Sequence, residues 1–134
     1  MKIVCDTNVL VSGILFGGNP RSILQASTRG EFENFISPDI LRETHEVLLR
    51  PKFGLTARQA DGIIKYLSDS FETVFPETRV KEIAADPDDD RILEAALAAK
   101  AHCIVSGDTD LLRLGAWKKI RILAPSEFVA EFFS

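Results

Sequence analysis

The sequence predicts an α/β fold, a mainly parallel sheet with helices on both faces. Three observations carry this. Lys2 to Cys5, Cys103 to Val105 and Ile120 to Leu123 are short apolar, largely β-branched runs that read as buried strands. Stretches of helical periodicity separate them, and crossovers of that kind are right-handed and lay helices over a parallel sheet. The length, 134 residues, is near the commonest size for one domain, so residues 1–134 are expected to form one.

The elements follow in order. After the first strand, Asp6-Thr7-Asn8 leads into a helical stretch whose apolar face holds Val9, Leu10, Ile14 and Leu15. Gly17-Gly18-Asn19-Pro20 breaks it, and Ile23, Leu24 and Ala26 mark a second short helix ending near Gly30. Glu33 to Ile36 fits a short strand. Ser37-Pro38 reads as an N-cap followed by proline at the first helical position. Ile40, Leu41, Thr44, Val47 and Leu48 continue that helix until Pro51. Thr56 to Gln59 matches a capping box, and Ala60, Ile63, Ile64, Leu67 and Phe71 extend it as an amphipathic helix. Thr73-Val74-Phe75 and Arg79 to Ile83 are strand or linker candidates around Pro76. The acidic turn Asp86-Pro87-Asp88-Asp89-Asp90 opens a helix with a small-residue packing face, Ala95, Ala96 and Ala99. Ser126 is expected to cap a last helix carrying Phe128, Val129 and Phe132.

Composition narrows the class. With 46% hydrophobic and 27% charged residues, the chain is neither disordered nor membrane-spanning, and its opening lacks the pattern of a signal peptide. A cytoplasmic location is expected. Two cysteines, Cys5 and Cys103, each in an apolar run, read as small buried hydrophobes rather than a redox or zinc motif. The net charge of −4 argues against broad attraction to polyanions, but not against a nucleic acid whose phosphates are met by bound cations.

The chemistry rests on acids. Asp6 ends the first strand, and Asp108 follows Cys103 to Val105 with Asp110 just beyond; ligands of parallel sheets sit at such carboxyl ends. Asp90 stands at the mouth of the helix leading into that second strand, and Glu43 borders the apolar stripe of the helix after Pro38. Carboxylates gathered in a cleft repel one another unless cations neutralise them. Without His or Cys beside them they suit a hard cation, Mg²⁺ or Mn²⁺. Singly, each acid also has a plain structural reading. Asp6 and Asp108 fit turns, Asp88 or Asp89 an N-cap, Glu43 a surface pair with Arg42 or Arg50. Jointly, on this topology, they favour a metal site.

Four segments in this order, Ile-Val-Cys-Asp-Thr-Asn, Ser-Pro-Asp-Ile-Leu-Arg-Glu, Asp-Pro-Asp-Asp-Asp-Arg-Ile-Leu and Ile-Val-Ser-Gly-Asp-Thr-Asp-Leu-Leu, resemble a PIN domain from Lys2 to about Phe128. More narrowly the chain is similar to the bacterial and archaeal PIN proteins of toxin–antitoxin systems, relatives of VapC-type ribonucleases. The resemblance implies a three-layer α/β/α sandwich and a Mg²⁺- or Mn²⁺-dependent ribonuclease. Its acids fall on Asp6, Glu43, Asp90 and Asp108, with Asp110 a further metal-site acid and Thr7, Asn8 and Ser106 as supporting polar residues. In so acidic a turn Asp89 stands as the alternative to Asp90. The implied partners are single-stranded RNA, a cognate antitoxin and a second copy of the chain; Phe128, Phe132 and Phe133 are candidate contact residues, with core packing an equal reading of at least the first two.

In that reading Asp6 is the principal metal ligand, Asp90 and Asp108 complete the cage, and Glu43 holds a second cation or orients the attacking water. Arg42, Arg50, Lys52, Arg91, Arg113, Lys118 and Lys119 are candidates for flanking phosphates, although scattered cations are usually solubilising surface. Trp117 either stacks a base or covers the sheet edge. His45 and His102 read as structural or exposed. Among rivals, a haloacid-dehalogenase phosphatase needs a second aspartate where Asn8 stands, and a phosphoacceptor receiver needs an acidic pair near the first strand. A non-catalytic PIN-like module and a DNA-directed nuclease of the same fold complete the alternatives.

Overall fold

The computed structural model describes residues 1–83 and 86–133. Among these, one six-stranded sheet is built from β1 (Lys2–Cys5), β2 (Glu33–Ile36), β3 (Glu72–Thr73), β4 (Cys103–Val105), β5 (Ala116–Trp117) and β6 (Ile120–Leu123), in the order β3-β2-β1-β4-β6-β5. All pairs are parallel except β5 with β6. The helices are α1 (Thr7–Leu15), α2 (Gly18–Thr28), α3 (Pro38–Leu48), α4 (Ala57–Ser70), α5 (Pro87–Ala99), α6 (Thr109–Leu114) and α7 (Pro125–Phe132). The sheet lies between helical layers, a three-layer α/β/α arrangement. No described helix is long and apolar enough to cross a membrane.

The central strands show why the sandwich forms. Ile3, Val4, Cys5, Cys103, Ile104 and Val105 are buried on both faces of the sheet. Continuous apolar runs of this kind, rather than alternating ones, mark strands covered on both sides. Ala95, Ala96 and Ala99 of α5 are buried too, and these small side chains let the helix approach β1 closely. A smaller cluster of Val11, Val47, Leu48 and Ala60 joins α1, α3 and α4.

Strand order locates the site. From β1 the chain runs outward to β2 and β3, then returns to β4 on the other side of β1. The order therefore reverses between β1 and β4, where open α/β sheets leave a crevice at the carboxyl ends of their strands. Val105 is opposite Cys5 in the parallel register, and the Asp6 N–H donates to the Val105 carbonyl at 3.0 Å. Asp6 and the Ser106–Asp108 turn thus leave the sheet side by side.

Local differences from the expectations have identifiable causes. The Gly-Gly break holds, with Gly17 at φ 97°, a region side chains avoid, but Asn19 and Pro20 already lie in the first turn of α2. Of Thr73-Val74-Phe75, only Thr73 belongs to a strand, β3. Arg79 to Ile83 is not a strand. Its N–H groups are taken instead by α5, Val80 by Glu94 at 2.7 Å, Glu82 and Ile83 by Asp90 at 3.0 and 2.8 Å. The N-cap of α5 is Asp86, whose side chain accepts the Asp88 N–H at 3.0 Å, not Asp88 or Asp89. Ser126 does not cap α7 either: Pro125 takes the first helical position, and the Glu127 carboxylate accepts the Ala124 N–H at 2.9 Å. α6 adds an element where the sequence suggested a polar turn, and β5 forms a hairpin with β6, the strand expected at Ile120 to Leu123.

Candidate active site

Asp6 is both the last word of β1 and the N-cap of α1. Its Oδ1 accepts the Val9 N–H at 2.9 Å, satisfying one of the orphan donors of the helix. Its Oδ2 accepts a hydrogen bond from the Ser106 hydroxyl, which in turn accepts the Asp108 N–H at 2.9 Å. Ser106 is fully buried and ties the ends of β1 and β4 together. Asp108 caps α6, its Oδ1 accepting the N–H groups of Asp110 and Leu111 at 2.8 and 3.2 Å. At the start of α1, Thr7 donates its hydroxyl to Oε2 of Glu43 on α3 at 2.8 Å.

The acidic turn supplies the rest. Asp86, Asp89 and Asp108 each present a carboxylate oxygen within 4.8 Å of the others. Asp86 precedes Asp89 by one turn at the start of α5, so both side chains reach the same side of the helix mouth. Asp90 is not in this group. Rotated onward around α5, its Oδ1 holds the N–H groups of Glu82 and Ile83. The structure thus brings Asp89, and not Asp90, to Asp108. Asp110 stands at the rim, part-exposed, 3.8 Å from Arg113. Asn8 is exposed at the first turn of α1.

The electrostatics are those of uncompensated negative charge. Among the described residues, none of Asp6, Glu43, Asp86, Asp89 and Asp108 forms an ion pair. Glu94, equally buried, shows the contrast, since Arg79 and Arg91 hold it at 3.2 and 2.8 Å. Burial raises the Asp6 carboxyl above its usual range and the charge of Asp108 adds to this, against the hydrogen bonds from Ser106, Val9 and Gly107. Asp89 is pushed up to about 8, first by burial, then by the charges of Asp108, Asp86 and Asp6. Glu43 is raised chiefly by burial; the Thr7 hydroxyl opposes the shift, while Asp88, Asp86 and Asp6 reinforce it.

These residues fit a hard divalent cation. Asp89 Oδ2 is buried with no hydrogen-bond partner among the described residues. The donors are all carboxylate oxygens. Both cysteines are buried and free, and burial pushes the Cys5 thiol to about 12. His45 pairs with Asp61 at 2.8 Å, and His102 Nδ1 accepts the Lys2 N–H at 3.0 Å, so neither histidine enters the site. Of the basic residues, Arg42 pairs with Asp39 at 3.0 Å and Arg91 with Glu94. Trp117 covers the sheet edge, its indole N–H donating to Glu82 at 3.1 Å.

Comparison with known proteins identifies the family and the fold. The uncharacterized protein MJ1680 of Methanocaldococcus jannaschii is 29% identical over a 143-residue alignment spanning 98% of this chain and 92% of that protein. The crystal structure of VapBC2 from Rickettsia felis, bound to a DNA fragment from its promoter, contains a chain that superposes with a TM-score of 0.63 at 15% identity, covering 91% of this chain and 97% of that one. The PIN domain family model matches residues 2–110, the stretch that carries Asp6, Glu43, Asp89 and Asp108. The chain belongs to the PIN domain family.

Proposed function

We propose that this chain is a Mg²⁺- or Mn²⁺-dependent endonuclease of single-stranded RNA and the toxin member of a toxin–antitoxin pair acting in the cytoplasm. One observation carries the nuclease reading: Asp86, Asp89 and Asp108 converge within 4.8 Å at the switch point, Asp6 is tied to Asp108 through Ser106, and one buried oxygen of Asp89 has no partner among the described residues. The toxin reading is supported by membership of the PIN family and by the shared fold with the VapBC2 chain. A cognate antitoxin and a second copy of the chain are the protein partners it implies.

A divalent cation bound here supplies charge neutralisation at the phosphate and a more acidic water. Asp89 and Asp108, with Asp86 beside them and Asp6 tied to Asp108 through Ser106, would hold it, and Asp110 stands at the rim. Ser106 fixes the angle between Asp6 and Asp108 by bonding both. Glu43, steadied by Thr7 and with its carboxyl raised by burial above the usual range, is suited to orient a water and accept its proton. Asp90 positions the Arg79–Ile83 segment instead of binding the cation.

The test is cleavage of labelled single-stranded RNA in Mg²⁺, Mn²⁺ or EDTA, with Asp6→Asn and Asp89→Asn alongside. Cleavage that needs the metal and is lost in both variants is expected. Equal cleavage in EDTA or in the variants would be contaminating nuclease and would count against the reading, and folded protein with neither cleavage nor Mn²⁺ binding would sink it.

A further inference from the structure

Beyond the carboxylates, a groove of about 540 Å³ runs along α1. Asn8, Val11, Ser12 and Leu15 recur at helical spacing and form one wall, and Val47 and Arg50 at the end of α3 form the other. Phe16, Lys52 and Phe53 close the far end. The near end opens on the acids: Asn8 follows Thr7, which holds Glu43, and Glu43 lies one turn before Val47 on α3. A strand lying in the groove is led to the carboxylates.

Two features specify what lies there. Phe16 is 70% exposed. Its ring rests against Phe53 at a centroid distance of 6.0 Å and a tilt of 50°, too close for insertion between them, so a flat ligand stacks on the outer face of Phe16. Arg50 and Lys52 form no ion pair among the described residues, whereas Arg42, Arg79, Arg91 and Arg121 all do. Arg50, without an ion pair among the described residues, Lys52, whose ammonium lies 5.1 Å from the Phe53 ring centroid, and an open aromatic ring stand beside a centre of negative charge and complement alternating phosphates and bases rather than an apolar protein helix. Phe16 is ten residues beyond Asp6, roughly 15 Å along α1, so the groove takes more than one nucleotide.

We infer that this groove binds the single-stranded RNA flanking the cleaved bond, a base stacking on Phe16 and backbone phosphates meeting Arg50 and Lys52. The inference rests on the nuclease reading and adds the path of the substrate. These are positioning residues, so their loss raises KM more than it lowers kcat.

Binding of a short labelled single-stranded RNA to the full chain in EDTA tests this by fluorescence anisotropy, with cleavage in Mn²⁺ measured in parallel. Phe16→Ala is expected to weaken binding by about 5- to 100-fold, and Phe16→Trp to restore it. The double variant Arg50→Gln/Lys52→Gln is expected to shrink the slope of log affinity against log salt by about 1.4. Unchanged affinity in Phe16→Ala and in the double variant would overturn the groove, leaving it to a protein partner, and cleavage by all of them would leave the nuclease reading standing. Groove-dependent binding without cleavage would do the reverse, supporting the groove and sinking the nuclease reading. A wild-type chain that binds no single-stranded RNA would overturn the groove as well.

Discussion

Successive helix positions are rotated by about 100°, and that rotation separates Asp89 from Asp90. Asp89 faces Asp108 and Asp86, whereas Asp90 accepts two N–H groups from the segment before α5. Asp89→Asn is therefore expected to lower RNA cleavage on the order of 100-fold or more, the scale of losing one electrostatic contact to a transition state. Asp90→Ala strands two N–H groups and is expected to cost about 2 to 3 kcal/mol in urea denaturation while sparing the activity of the folded fraction. The raised Asp89 carboxyl adds a pH dependence. Between its ordinary 3.8 and about 8 the folded, metal-free chain keeps a proton that the unfolded chain has released. Stability must then fall as pH rises through that window and level off above it, which thermal melts in EDTA will show, and Asp89→Asn should flatten the fall. Asp6 was legible in the sequence because it directly follows a strand, and Asp108 because it lies in the turn after one. The choice between Asp89 and Asp90 was not, because it depends on the rotational register of α5 and on a backbone segment that no pattern of residues announces. Asp86 left one unread signal, its spacing of three from Asp89 across a helix start.

At the scale of elements, α1 matters most, since it carries Asp6 as its cap, Thr7 toward Glu43 and the wall of the groove. Its seat against α2 depends on Gly13: a Cβ there would lie 2.5 Å from Leu24 Cδ1 and 3.2 Å from the Pro20 carbonyl carbon. Gly13→Ala is expected to cost about 1 to 3 kcal/mol, read as a lower denaturation midpoint, because the Pro20 backbone has no rotamer to yield. Strong periodicity and capping chemistry made α3 and α4 readable; Ser37 and Thr56 both cap as their sequences suggest, accepting the Ile40 and Gln59 N–H groups at 3.2 and 3.1 Å. The β5–β6 hairpin was not readable. Its turn is Lys118-Lys119, at φ 49° and 68°, where the sequence signal for such turns is Asn-Gly or Asp-Gly. Tertiary packing of Trp117 overrides that preference, and Lys118 lies 5.4 Å from the indole ring centroid. The two-residue β3 is too short to carry a pattern.

Over the whole molecule, a net charge of −4 is concentrated where it is least compensated, at the carboxyl end of the sheet. The fold brings Asp108 and Asp6 to the acidic turn at the start of α5, so the repulsion between these separate segments is a property of the tertiary fold and is lost on unfolding. A cation that binds only the folded chain should stabilise it by about 2.7 kcal/mol at a hundredfold excess over its Kd, seen as a higher melting temperature in Mn²⁺ than in EDTA. The gain should grow toward alkaline pH, where Asp89 is ionised without help. The most direct measurement is calorimetric titration of Mn²⁺ into wild type, Asp89→Asn and Asp90→Ala at neutral pH. The acid centre described here predicts saturable binding by wild type and Asp90→Ala, with binding lost or weakened at least about tenfold in Asp89→Asn. Equal binding by Asp89→Asn, or none by folded wild type, would contradict it.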